Sequence, residues 1–364
     1  MHSRYRLHTR FTTPPMSIVA FALVFMGFCK ISADDTTALN ENNAPLFTPA
    51  APDEFFVLRG DLNNCRIRFE RDKVGRVVFL GGSITHNSGW RDMTCEYLRK
   101  RFPETKFEFI NAGIPSTGSV PGAFRLLRDV FGTDGTDGEV KQVDLLFEEA
   151  AVNDSSNGRS AEQMTRGMEG IVRHARKLNP QIDVVVMHFV DPSKIDDYRA
   201  GRTPVVVQQH EAVAKHYDTT SIHLAREVQM RIDAGEFTWE KDFRNLHPSP
   251  FGQKLYAATI ARMLDKAWSK PLAANVASVD HPLPRPIDPQ SYDSAELRPI
   301  SSATDLAGFT LVDNCDPRKP SGGGVRPGFV NVPMLSARSR ATASRLTSKV
   351  ARSASSSLPV EMRV

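Results

Sequence analysis

Between residues 76 and 190 four short apolar runs stand out from the polar background: RVVFL (76–80), FEFIN (107–111), VDLLFEEA (143–150) and DVVVMHFV (183–190). Each is rich in β-branched or aromatic residues and short for a helix, so each is predicted to be a strand. Apolar positions recur at helical spacing over 90–102, 122–131, 161–178 and 205–216, which predicts amphipathic helices. Strands alternating with helices need crossovers, which are right-handed and leave a parallel sheet covered on both faces. The expectation is a layered α/β domain over residues 54–269. In such sheets ligands bind outside the carboxyl ends of the strands.

The pattern changes at both ends of this domain. Arg4, Arg6 and Arg10 precede an apolar run at 17–29, and Ile31-Ser32-Ala33 is suited to cleavage. Residues 1–33 therefore read as a signal peptide, which implies export to a periplasmic or extracellular location. The run is short for a membrane span, and no other stretch approaches spanning length. Residues 34–53 form a polar lead-in. A proline-rich stretch over 270–299 has the composition of a linker. The segment 300–336, broken by SGGG, reads as a fragment of a β domain, too small to bury a core alone. The last 28 residues hold seven serines, five arginines and no aromatic residue, and are expected to be disordered. Two origins fit the abrupt change after Leu335: a truncated or frameshifted second domain, and a genuine basic tail.

Composition, at 40% hydrophobic and 24% charged, is that of a globular protein. The net charge of +4 changes meaning once it is located. The first 33 residues carry +4 and the last 28 carry +5, so the body between them carries −5. An acidic body has no general attraction for phosphate backbones, and no nucleic-acid partner is expected. Cys65, Cys95 and Cys315 remain after signal removal and allow at most one intrachain disulfide. No Cys or Cys/His spacing suggests zinc, and neither a metal nor another cofactor is expected.

The first predicted strand runs into GGSITHNSGW, which puts Ser83 at a strand end. A serine hydroxyl needs a base within hydrogen-bond reach and donors aimed at the developing oxyanion. NAGIPSTGS (111–119) offers Gly113 directly after a strand, with its N–H open to a ligand. AAVND (150–154) places the Asn153 amide past the third strand. His247, before a proline and an amphipathic helix, can return to the sheet edge as the base. Each residue alone has a plainer reading: Ser83 and Gly113 as turn residues, Asn153 as a helix cap, His247 as a helix lead-in. His86 reads as a pocket wall. His188 and Asp191 close another strand and are assigned a structural role over metal binding. Glu148 and Glu149 adjoin in a strand, so at least one faces a covered layer and needs a partner.

Taken in order, GGSIT, NAGIPSTGS, AVND and HPSPFG resemble the four blocks of the SGNH (GDSL-like) hydrolase family over roughly residues 74–268. The resemblance implies a flavodoxin-like three-layer sandwich with a parallel sheet and metal-free esterase or lipase chemistry. It assigns Ser83 as nucleophile, His247 as base, and Gly113 and Asn153 to the oxyanion hole. The sequence departs from the family where an aspartate usually stands three residues before the histidine, since that position is Arg244. The nearest acid is Asp242, leaving two orienters for the His247 ring: the Asp242 carboxylate or a backbone carbonyl. The resulting expectation is an exported serine esterase acting on a small acyl ester, with acetylated carbohydrate preferred. A lipid-directed esterase or lysophospholipase and a catalytically impaired carbohydrate-binding module are the alternatives.

Overall fold

A computed structural model of the chain describes residues 55–133, 139–297, 300, 306, 308–316 and 330–337. The signal peptide, the lead-in at 34–53 and the tail beyond Ala337 lie outside the described residues. Five parallel strands, β2 (Val74–Gly81), β3 (Lys106–Gly113), β4 (Leu145–Glu149), β5 (Asp183–Met187) and β6 (Thr220–Ile222), form one sheet. A two-residue strand, β1 (Phe56–Val57), pairs antiparallel with β6, giving the order β1-β6-β5-β4-β2-β3. Counted along the chain, the parallel strands follow the flavodoxin-like order 2-1-3-4-5. The chain leaves β2 toward β3 on one side and reaches β4 on the other, so the switch point lies at the carboxyl ends of β2 and β4.

Burial follows from that order. Every residue of β4 and β5 is buried, as expected for strands covered on both faces. The edge strand β3 carries exposed Lys106 and Glu108 in its first half. On one face Val78, Leu80, Leu146, Val184 and Val186 pack with α4 (Ser119–Asp129), α6 (Ala161–Leu178) and α8 (Val205–His216). The start of α6 is fixed by a reciprocal cap. The Gln163 N–H donates to Ser160 Oγ at 3.2 Å, and the Ser160 N–H donates to Gln163 Oε1 at 3.1 Å. The other face is aromatic. Phe79 stacks on Phe147 at 5.4 Å, with Trp90 of α3 (Trp90–Arg101) edge-on to both, and Phe189 stacks on Tyr256 of α10 (Pro250–Ala267) at 4.5 Å. Phe69 of α1 (Asn63–Glu70) extends this face through Phe102 and Trp268.

The proline-rich stretch beyond Lys270 is laid against the domain rather than hanging from it. The Ile287 and Asp288 N–H groups donate to the carboxylate of Glu169, which is fully buried and also accepts from the Tyr217 hydroxyl. Arg173 pairs with Asp293 and Arg166 with Asp288, at 2.8 and 2.7 Å. At its start, Asn64 of α1 exchanges hydrogen bonds with the Val279 backbone. Past this strap, β7 (Phe309–Cys315) and β8 (Val332–Ala337) form an antiparallel pair with much of β7 exposed. Cys65, Cys95 and Cys315 are free thiols. Among the described residues no helix is long and apolar enough to cross a membrane.

The adjacent glutamates of β4 are both buried, on opposite faces. Glu148 points to the α4 side, near Arg125, and burial drives its carboxyl well above the usual range. Glu149 accepts the Val152 N–H at 3.1 Å, and burial lifts its carboxyl to about 7. Because the unfolded chain loses this proton at lower pH, the stabilisation held by protonated Glu149 is complete below pH 4.5 and is lost as pH rises to about 7. The expected loss is about 3 kcal/mol across that window. Glu149→Gln keeps the acceptor for Val152 and should flatten this part of the profile. Equal slopes in denaturant unfolding of the two proteins from pH 5 to pH 8 would refute the assignment.

Candidate active site

Strand β2 ends at Gly81, and Ser83 opens a single helical turn, α2 (Ser83–His86). Gly82 has to be a glycine, because a Cβ there would overlap the Asn153 amide oxygen. This absence of a side chain lets Asn153 reach the backbone beside Ser83. Asn153 lies in the first turn of α5 (Ala151–Ser156), whose position is set by its neighbour Asp154. The Asp154 carboxylate is fully buried and accepts from the Ser119 N–H (2.9 Å) and Ser119 Oγ (2.5 Å), with His210 Nε2 3.1 Å away. It thereby ties α5 to α4 and α8. The Asn153–Asp154 pair divides its work: one side chain faces the β2 end, and the other anchors the helix.

His247 arrives from 164 residues further along the sequence, with Nε2 2.7 Å from Ser83 Oγ. Its loop is clamped on both sides. Before it, a π-helical turn at Trp239–Phe243 buries Phe243 between Trp239 and Tyr256. After it, the Ser249 N–H donates to Phe243 O at 3.0 Å, and Pro250 starts α10. The His247 N–H donates to Asn245 Oδ1 at 2.7 Å. Arg244 sits at φ 78°, ψ −51°, a strained conformation for a residue with a side chain, and makes the sharp turn this loop requires.

Two other sequence-derived candidates are engaged elsewhere. The Asp242 carboxylate turns back on its own loop and accepts from the Thr238 N–H (2.8 Å) and Thr238 Oγ1 (3.2 Å). Among the described residues no hydrogen bond joins it to His247. Gly113 lies at the end of β3, but its N–H donates to Asn111 Oδ1 at 3.0 Å. A Cβ at Gly113 would overlap the His86 backbone, so the glycine permits α2 to pack on β3. His86 completes this knot, with Nδ1 3.0 Å from Gly113 O.

Ser116, three residues past Gly113, has a conformation that the sequence does not announce. It adopts left-handed backbone (φ 65°), its carbonyl accepts from Asn157 Nδ2 at 3.0 Å, and its N–H has no hydrogen-bond partner among the described residues. The next residue, Thr117, brings its carbonyl within 3.3 Å of the Cβ position at Gly82. A non-glycine residue in a left-handed turn leaves no mark in the sequence, whereas Gly113 directly after a strand does. Asp191, also singled out, caps α7 (Pro192–Arg199) through the Lys194 N–H and Ser193 Oγ. This is the structural role expected of it.

The model of the GDSL-like lipase/acylhydrolase family matches residues 79–255. A two-domain esterase (CEX) active on acetylated mannans, solved with mannopentaose, is 25% identical, with a TM-score of 0.58 over 73% of this chain and 68% of that one. A second structure of a two-domain esterase of that name is 25% identical, with a TM-score of 0.59 over 73% and 69% of the two chains. None of the curated proteins matches the chain.

Proposed function

Since residues 79–255 are a GDSL-like lipase/acylhydrolase domain, a carboxylic ester hydrolase of SGNH type, we propose that the protein is an exported esterase removing short acyl groups, acetyl foremost, from carbohydrate. The observation that carries the chemistry is the 2.7 Å contact between Ser83 Oγ and His247 Nε2 at the switch point of the sheet. His247 takes the Ser83 proton as Oγ attacks the acyl carbonyl. The charge on the carbonyl oxygen is met by the Ser83 N–H and the Asn153 amide. The Ser116 N–H is the third donor in this reading, in place of the engaged Gly113. The sugar hydroxyl leaves with the proton from His247, and water then releases the acid by the same steps. Similarity to an esterase active on acetylated mannans supports a carbohydrate substrate. Three arginines ahead of an apolar N-terminal run support export.

Hydrolysis of p-nitrophenyl acetate, butyrate and octanoate, alongside acetate release from acetylated mannan and xylan, tests the reading. Acetyl preference with acetate release supports it. Octanoyl preference favours the lipid-directed alternative, and absence of turnover favours a binding module. Asn153→Ala is expected to lower kcat by about 10²- to 10³-fold with little change in KM. A rise in KM with kcat intact would remove the amide from the oxyanion hole.

A further inference from the structure

Two histidines and one glutamate meet at the same carboxyl edge of the sheet, away from Ser83. The strands are in register through Gly81, Glu149, Met187 and Ile222, so His188 and His223 each stand one residue past the end of their strand. They lie two and three strands from β2, about 10 and 14 Å across the sheet. Both backbones are pinned. The His188 N–H donates to Ile222 O, the Ala225 N–H donates to His188 O, and the His223 N–H donates to Phe55 O. Glu211 of α8 lies over them, with Oε1 3.8 Å from Nε2 of each histidine, and the two rings are 5.4 Å apart.

Hydrogen bonding inside this cluster is incomplete in a particular way. His188 is fully buried, yet neither ring nitrogen has a hydrogen-bond partner, and Glu211 Oε1 also lacks one. Leaving such buried groups unpaired is ordinarily unfavourable, because each has lost its water without gaining a partner. The other carboxylate oxygen, Oε2, accepts from Arg59 at 2.9 Å, and Arg59 is itself held by Thr219 O and Ser221 Oγ. Arg59 therefore fixes the carboxylate with its free oxygen turned to the imidazoles. The three ligand atoms lie within 4.8 Å of one another.

We propose that His188, Glu211 and His223 bind a divalent late transition-metal ion, zinc being the reference case, which clamps the ends of β5 and β6 to α8. Two imidazoles and a carboxylate with one position left for water form a donor set suited to such an ion. In a tetrahedral shell with bonds near 2.1 Å the ligand atoms stand about 3.4 Å apart, so the two 3.8 Å separations need to close by only about half an ångström. Side chains of His223 and Glu211 are each about one-fifth exposed, which supplies an entry path. The site does not depend on Ser83 or on the esterase reading.

The test uses the untagged full-length chain, stripped with EDTA and titrated with Zn²⁺ by calorimetry and with Co²⁺ by visible absorption. One ion per chain, four-coordinate Co²⁺ bands and a rise in Tm with added Zn²⁺ are expected. His223→Ala and Glu211→Gln, both at partly exposed positions, should each weaken binding at least about tenfold, with circular dichroism confirming that they fold. Absence of binding overturns the proposal. So does affinity unchanged in both folded variants, which would assign the ion to other histidines.

Discussion

Ser83→Ala is expected to lower kcat/KM for acetyl ester hydrolysis by about 10⁴-fold or more while leaving the unfolding midpoint nearly unchanged. The kinetic loss is that of a nucleophile whose removal leaves only binding and oxyanion stabilisation. Stability should hold because Ser83 is only partly buried and its side-chain hydrogen bond goes to the exposed His247. A change within about 0.5 kcal/mol is usual for such a position. A serine-directed phosphonate should label Ser83 in the parent protein and fail to label the variant. Turnover that survives in Ser83→Ala, or a label on another serine, would remove Ser83 from the mechanism.

Losing the base should cost nearly as much, because members of one catalytic unit fail together. His247→Ala is therefore expected within about tenfold of Ser83→Ala. Asp242→Ala should behave differently. Its carboxylate is bound to the Thr238 N–H and hydroxyl, so its removal should cost about 1 kcal/mol of stability through the lost cap and leave kcat within about tenfold. This separates two architectures: a Ser83–His247 dyad, and a triad completed by Asp242. A loss of about a thousandfold in a folded Asp242→Ala protein, the scale of a triad acid, would require the carboxylate to swing to the His247 ring.

Most of the sheet was legible because its strands are buried on both faces. RVVFL and DVVVMHFV announce β2 and β5 as apolar runs, and β4 is entirely covered although its last two residues are glutamates. The short strands β1 and β6, of two and three residues, are too brief for any alternation to register, and β1 depends on backbone pairing with β6. Helix α6 was readable to its bounds, since its apolar positions keep helical spacing over the whole of 161–178. Ser83 and Asn153 stand out in the sequence because each closely follows a strand, and His247 because it precedes a proline and an amphipathic helix; the fold brings His247 Nε2 to 2.7 Å from Ser83 Oγ and Asn153 to Gly82. The engaged N–H of Gly113 and the inward turn of Asp242 do not stand out, since both depend on side-chain partners two to four residues away. The proline-rich stretch also looked like a linker. Composition reports the absence of helix and strand; it says nothing of the Glu169 and Arg173 side chains waiting on α6 to hold it.

The strap has a kinetic consequence for synthesis. Helix α1 is made early, yet its partners come late: Asn64 pairs with Val279, the Arg66 guanidinium donates to Lys270 O, and Arg71, just past the helix, donates to the carbonyls of Ala273 and Val276. Asn64 and Val279 are separated by 215 residues, so at ordinary elongation rates α1 waits about 10–40 s on the ribosome before its partners exist. During that interval Phe69 and Phe102 lack Trp268, whose indole closes over both rings only when the end of α10 has been made. The nascent chain carries an open aromatic surface until the end of α10, the last helix of the domain to be made, covers it.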